Sequence, residues 1–167
     1  MAWRTLPARE FDCGALLLAG VGGYLVSVHA LPRALARPGS KEAAVAVLFG
    51  IGTALAAWPR LSTPADVLSV GLFSGLCWIN CASIEDWEGR REVRWTAYFA
   101  AAGIAVVAAL LLREHRPVLG AAETASALGL IALDRLRGRI SPDALRVLAD
   151  AALASPVLFF PVAGMRA

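Results

Sequence analysis

The sequence predicts an all-α fold, a polytopic membrane helix bundle with about six transmembrane helices. Hydrophobic residues make up 58% of the 167 residues, only 17% are charged, and the mean hydropathy is +0.63. Such values lie outside the averages of soluble proteins. The long Ala- and Leu-rich runs show no alternation of period two, and an open sheet leaves backbone groups unsatisfied in lipid. We therefore expect a single integral membrane domain over residues 1–167.

Six apolar stretches predict the individual helices, since a helix needs about 20 mostly apolar residues to cross a bilayer. Four stretches contain no charged residue, and they predict helices over residues 13–30, 43–59, 67–84 and 95–112. Two further stretches carry charged residues and predict helices over residues 117–133 and 144–165. Proline and glycine punctuate the short connections between the stretches, as expected for a compact bundle.

The distribution of Lys and Arg predicts the orientation in the membrane. Nine of these residues lie in the first, third and fifth connections, and six lie in the other two connections and at the termini. Because connections rich in Lys and Arg stay in the cytoplasm, we expect both termini outside and residues 85–92 facing the cytoplasm. The basic residues form no patch that would favour nucleic acid as a partner. Membrane lipids are the expected surroundings.

A cluster of polar residues follows the third apolar stretch, at the predicted cytoplasmic surface. Asn80 is followed there by Glu85, Asp86, Glu88 and Glu92. Ionisable groups at the mouth of a membrane helix require a partner, water or a ligand, so this cluster is the main candidate for function.

Helical periodicity divides the cluster into two stripes. If the helix continues to residue 91, its 100° step places Asn80, Ser83 and Trp87 on one stripe, with Asp86 at its edge. This stripe mixes polar and apolar side chains, as a cavity lining does. Glu88 falls on a second, wholly acidic stripe that we expect to be a solvated face.

The residue types at this surface suit an anionic ligand with a divalent cation. Carboxylates bind Mg²⁺, which also bridges to phosphate oxygens, so the acidic residues of this cluster suit a divalent cation. Arg90 and Arg91 add donors that bind phosphate with bidentate geometry. We therefore predict that Asn80, Asp86, Arg90 and Arg91 bind substrate, whereas the sequence names no catalytic residue.

A structural alternative explains the same cluster without a ligand. Asp86 and Arg90 are four residues apart, so they suit an i,i+4 ion pair on one helix, and Glu88 can pair with Arg91 in a similar way. The cluster is then an ordinary solvated connection.

Three further charged residues lie inside the last two predicted helices. Asp150 follows Arg146 by one turn, and we expect these two to neutralise each other. The alternative is that Asp150 lines the same cavity as Asn80. Glu123 lies about one turn inside the fifth helix, where it faces the bundle interior or reaches the outer surface; we expect the outer surface.

The run Asp86-Trp87-Glu88-Gly89-Arg90-Arg91 resembles the D-x-E-G-D-R motif of the UbiA superfamily of intramembrane prenyltransferases. The resemblance implies a UbiA-like fold, in which the six helices match the last six of nine. It also implies Mg²⁺, an isoprenoid diphosphate donor and a lipophilic or aromatic acceptor. Asp86 then corresponds to a metal or diphosphate ligand, with Glu88 as an accessory ligand.

The chain departs from the family pattern at two points. Arg90 replaces the second aspartate of this motif, and the other aspartate-rich motif of the family, N-D-x-x-D-x-x-x-D, is absent. We therefore expect weak binding of Mg²⁺-diphosphate, and prenyl transfer only if a further segment or a companion membrane chain completes the site. The alternative is a non-catalytic six-helix membrane subunit or scaffold.

Overall fold

The computed structural model describes residues 8–30, 40–55, 61, 63–89, 94–113 and 117–154. These residues form six helices and no strand, which confirms the predicted all-α class. The helices are α1 (Ala8–Ala30), α2 (Ser40–Leu55), α3 (Pro64–Trp87), α4 (Arg94–Arg113), α5 (Pro117–Leu136) and α6 (Pro142–Leu153).

The helices coincide with the six predicted stretches, but several ends differ: α1 begins five residues earlier than predicted, α3 begins three residues earlier and ends three later, and α5 ends three residues later. α6 ends at Leu153, earlier than predicted, and residues 155–165 of the prediction lie outside the described part of the chain. α2 begins three residues earlier than predicted, and residues 56–59 likewise lie outside the described part.

Local sequence signals explain where α3 and α6 begin. The Thr63 hydroxyl accepts a hydrogen bond from the Asp66 backbone N–H, and the Asp66 carboxylate accepts one from the Thr63 N–H, which makes a capping box. Ser141 caps α6 by accepting a hydrogen bond from the Ala144 N–H. A proline occupies the first turn of each helix, where its missing N–H loses no bond.

Helix α3 lies at the centre of the bundle and contacts α2, α4, α5 and α6. Its contacts place Ser69 beside Glu123 and Asp86 beside Arg137, so α3 and α5 run parallel. The core between these helices is apolar and consists of Leu76, Ile79, Ala101, Ala127, Leu130, Leu133, Leu145 and Ala149. Helix α1 packs against α2 at the edge of this arrangement.

Two of the described helices, α3 and α5, are long and apolar enough to cross a membrane. In each of them only 39% of the apolar segment is buried, whereas the core helix of a soluble protein is mostly buried. Large apolar side chains are exposed on the other helices too, with Leu16 at 73% and Val147 at 68%. Exposed apolar surface of this kind indicates contact with lipid or with another protein.

A close approach between α2 and α3 at Gly50 gives a test of this packing. A Cβ atom at Gly50 would lie 3.0 Å from the Ser74 Cβ and would overlap its Oγ. We expect Gly50→Ala to destabilise the bundle by about 1–3 kcal/mol, because an overpacked contact forces the helices apart. Thermal unfolding in detergent measures this effect.

Gly71→Ala is the matched control, since Gly71 lies in α3 with open space around it. Alanine is the better helix former, so this variant should be as stable as the parent or more stable. Equal destabilisation by the two substitutions would contradict the α2–α3 contact.

Candidate functional site

The polar stripe of α3 faces the interior of the bundle, as its periodicity predicts. Asn80 and Ser83 are buried, and the side chain of Asp86 is only 7% exposed. The helix continues through this region to Trp87, and Gly89 then takes a left-handed conformation with φ of 70°. Glycine adopts this conformation without strain, which lets the chain turn away directly after the acidic residues.

Asp86 is bound by an arginine from a distant part of the sequence. The Arg137 Nη1 donates a hydrogen bond to the Asp86 Oδ2 at 2.7 Å, and Arg137 lies in the turn directly after α5. The same nitrogen lies 3.9 Å from the Asp134 Oδ1. The Trp87 Nε1 donates a hydrogen bond to that Asp134 oxygen at 3.2 Å. The end of α3 is thereby joined to the end of α5.

Glu88 forms an ion pair with Arg146 of α6, and its side chain is only 11% exposed. The predicted solvated face at Glu88 is therefore wrong. The expected pairing of Arg146 with Asp150 is also wrong, because Arg146 reaches across to α3 instead. An ion pair between residues one turn apart on the same helix stabilises that helix only weakly. A pair between two packed helices also stabilises their packing.

Asn80 connects α3 to α6 on the same side of the bundle. Its Nδ2 donates a hydrogen bond to the Asp150 Oδ1 at 3.1 Å, so Asp150 contacts Asn80; the alternative that both line one cavity stays a prediction. The Asn80 Oδ1 is buried, and no group in the described part of the chain donates a hydrogen bond to it. A buried acceptor without a donor costs free energy.

The candidate site thus contains Asn80, Asp86 and Glu88 together with Arg137, Arg146, Asp134 and Asp150. Arg90 and Arg91 lie outside the described residues, so their predicted role in substrate binding stays a prediction. The local pairs of Asp86 with Arg90 and of Glu88 with Arg91 stay untested for the same reason.

The arrangement does not by itself fit Mg²⁺. Asp86 and Glu88, the two predicted metal ligands, each carry an arginine. Within the described ranges no three His, Cys, Asp or Glu side chains gather closely enough to hold a metal ion. A cation would therefore have to compete with Arg137 and Arg146. Both guanidinium groups are accessible, since their side chains are 29% and 45% exposed, and the carboxylates of Asp134, at 24%, and of the exposed Asp150 are accessible as well.

An apolar groove lies between α1 and α2, with a volume of about 540 Å³. Its polar lining residues are Tyr24 and Thr53, and the others, such as Leu17, Leu48 and Phe49, are apolar except for Gly52. None of the residues that line it belongs to the polar stripe of α3.

Sequence reasoning missed Arg137 and Asp134 as members of the site. Both residues lie near the end of α5, three positions apart, at the same predicted membrane surface as Asp86. The arginines of the connection between α5 and α6 contributed to the predicted topology. However, no local sequence spacing relates Arg137 or Asp134 to α3. Only the parallel packing of α3 and α5 brings these residues to Asp86.

Glu123 is buried with 4% exposure, so the expectation that it reaches the outer surface is wrong. It lies against Ser69 of α3 instead, in the part of the bundle where α3 and α5 begin.

We expect the Asp86–Arg137 pair to stabilise the bundle measurably. Arg137→Gln should lower the free energy of unfolding by about 1–3 kcal/mol, because it leaves the buried Asp86 carboxylate without this partner. Asp86→Asn should cost less, because Arg137 is partly exposed and also lies near Asp134. A double-mutant cycle in detergent measures the coupling between the two residues.

Arg139→Gln is the matched control, since Arg139 is an exposed arginine two positions further along the same turn. It should change stability by less than about 0.5 kcal/mol. A coupling energy near zero between Asp86 and Arg137 would contradict the role given to this pair.

Comparison with known proteins adds no relative to this picture. No protein-family model, no curated protein and no solved structure matches the chain.

Proposed function

We propose that this chain is a UbiA-like integral membrane protein that binds the charged head of an isoprenoid diphosphate or a similar lipophilic substrate. The binding groups are Arg137 and Arg146, at the predicted cytoplasmic end of the bundle. The observation that carries the proposal is the ion pair of Arg137 with the buried carboxylate of Asp86, because it holds a guanidinium group in place at the end of an apolar bundle.

The two arginines suit a phosphate ligand in geometry and in charge. A guanidinium group has five N–H donors, and the Asp86 Oδ2 engages the Nη1 of Arg137. The remaining donors suit two phosphate oxygens in a bidentate arrangement. Since the carboxylates restrict the rotamers of both arginines, less conformational entropy is lost when the ligand binds.

The apolar part of such a substrate has a matching environment. Exposed apolar side chains surround the bundle, and the polar residues of the site gather at one end of α3, α5 and α6. A lipophilic tail can therefore stay in the hydrocarbon region while its head reaches the arginines. Six membrane spans, with the 85–92 segment in the cytoplasm, are part of this proposal.

A second candidate is the non-catalytic membrane subunit or scaffold. The observation in its favour is that Asp86 and Glu88 are already neutralised by Arg137 and Arg146, so these pairs also serve as links between α3 and the α5–α6 hairpin. In this case the exposed apolar faces pack against a companion membrane chain. Such a chain would bind no prenyl diphosphate.

Binding of farnesyl diphosphate to the purified protein in detergent separates the two candidates. We expect saturable binding, and we expect Arg137→Gln to weaken it about tenfold, which corresponds to about 1.4 kcal/mol for the lost charge-assisted bonds. Arg139→Gln is the control and should bind as the parent does. Absence of binding by a folded parent protein would leave the scaffold candidate.

The same assay with and without MgCl₂ tests the predicted metal. If Mg²⁺ binds Asp86 and Glu88 together with the diphosphate, Asp86→Ala should remove the dependence of affinity on Mg²⁺. If the arginines alone hold the head group, affinity should not depend on Mg²⁺. Transfer of the prenyl group to a lipid acceptor, compared between the parent and Asp86→Ala, then tests for enzyme activity.

Cysteine labelling tests the proposed six-span topology. In a background without Cys13, Cys77 and Cys81, we place a cysteine at Pro117 or at Gly138, which lie at opposite ends of α5. A membrane-impermeant maleimide should label Pro117→Cys in intact cells and Gly138→Cys only after permeabilisation. Labelling of both positions in intact cells would contradict the topology.

A further inference from the structure

A second buried polar contact joins α3 and α5, away from the site described above. The Ser69 Oγ donates a hydrogen bond to the Glu123 Oε1 at 2.8 Å. Both residues are buried, with exposures of 6% and 4%. Ser69 lies five residues after the start of α3 and Glu123 six residues after the start of α5, so both lie about 8–9 Å along the helix axis.

The second oxygen of Glu123 is left without a partner. The Glu123 Oε2 is buried, and no residue in the described part of the chain donates a hydrogen bond to it. A buried carboxylate without a cation is among the most costly groups in a protein, and more so where lipid replaces water. The neutral acid costs far less, because one oxygen accepts the serine hydrogen bond and the other carries the proton.

Among the described residues, the charged side chains of the packed helices do not supply a counter-ion. The nearest charged residue on α3 is Asp66, which carries the same sign as Glu123, and α5 has no other charged residue before Asp134. On α2, Lys41 and Glu42 lie at the start of the helix, whereas the contact with α3 at Gly50 is nearer its end. Arg113 ends α4, and its side chain lies outside the described part of the structure.

Helix α6 places its charged residues at the other end of the bundle. Asp143 lies in its first turn, Arg146 contacts Glu88, and Asp150 contacts Asn80. All three therefore belong to the region where α3 ends, whereas Glu123 lies where α3 begins. This distribution leaves a proton as the simplest group that neutralises Glu123.

We propose that Ser69 and Glu123 form a proton-binding site within the bundle. The Glu123 carboxyl group holds the proton on Oε2, and the Ser69 hydroxyl group orients the carboxyl group through Oε1. When the proton leaves, the resulting carboxylate retains only one donor, so ionisation favours entry of water or separation of α3 from α5. The site thus couples proton binding to the packing of these two helices, independently of the substrate proposed above.

Infrared difference spectroscopy of the protein in lipid vesicles tests this site directly. We expect a C=O band of a protonated carboxyl group at neutral pH that is lost in Glu123→Gln, an isosteric change that preserves the packing. Ser69→Ala should shift the same band, because the hydrogen bond to Oε1 is lost. Asp143→Asn is the control, since Asp143 is exposed and its substitution should leave the band unchanged.

Thermal unfolding provides a second readout on the same variants. We expect the parent to lose stability relative to Glu123→Gln as the pH rises, because the folded state binds a proton that the unfolded state releases. A parent that shows only carboxylate bands at neutral pH, with no band lost in Glu123→Gln, would overturn the proposal. So would a difference in stability between the two proteins that does not change with pH.

Discussion

The need to pair polar groups within an apolar bundle dominates this structure. Helix α3 carries polar side chains along the face that packs against α5 and α6, and its surroundings offer little water to solvate them. Ser69 and Asn80 therefore bond to side chains of α5 and α6, and Asp86 bonds to Arg137 in the turn after α5. Because these bonds lie at three levels of α3, they also align α3 with α5 and α6.

The two ends of α3 satisfy this constraint in different ways. Where α3 ends, Arg137 and Arg146 neutralise Asp86 and Glu88 from partly exposed positions. Where it begins, the Glu123 carboxyl group is fully enclosed and receives one hydroxyl donor. An arginine can bring its charge to the surface through a long side chain, whereas a short buried glutamate cannot. The first arrangement suits an anionic ligand, and the second suits a proton.

The arginine pairs explain how one region can resemble a metal-diphosphate site and yet differ from it. In the resembled motif, acidic residues hold a metal that contacts phosphate. Here the corresponding residues, Asp86 and Glu88, pair with guanidinium groups, a side-chain type that is able to bind phosphate oxygens without a metal. A guanidinium group can bind phosphate through its charge, but it lacks the ability of a metal to polarise a leaving group. For this reason we propose the binding of a head group rather than catalysis.

Much of the helical framework follows from the sequence alone. Apolar length predicts the six helices, Thr63 with Pro64 and Ser141 with Pro142 mark two of the starts, and Gly89 marks the turn after α3. The helix starts and the turn after α3 depend on residues within one turn of each other, so the local sequence is enough to indicate them. The periodicity of α3 likewise predicts the buried stripe that contains Asn80 and Ser83.

The partners of the polar residues were decided by the tertiary structure. Sequence spacing favours Arg146 for Asp150, yet Arg146 binds Glu88, and Asp86 binds Arg137, which lies 51 residues away in sequence. Several arginines lie at the same end of the bundle, and sequence separation does not say which will be close in space. The parallel packing of α3 with α5 makes that choice, and it buries Glu123 against Ser69 for the same reason. Helix formation is a local property of this chain, whereas charge pairing depends on which helix faces are packed together.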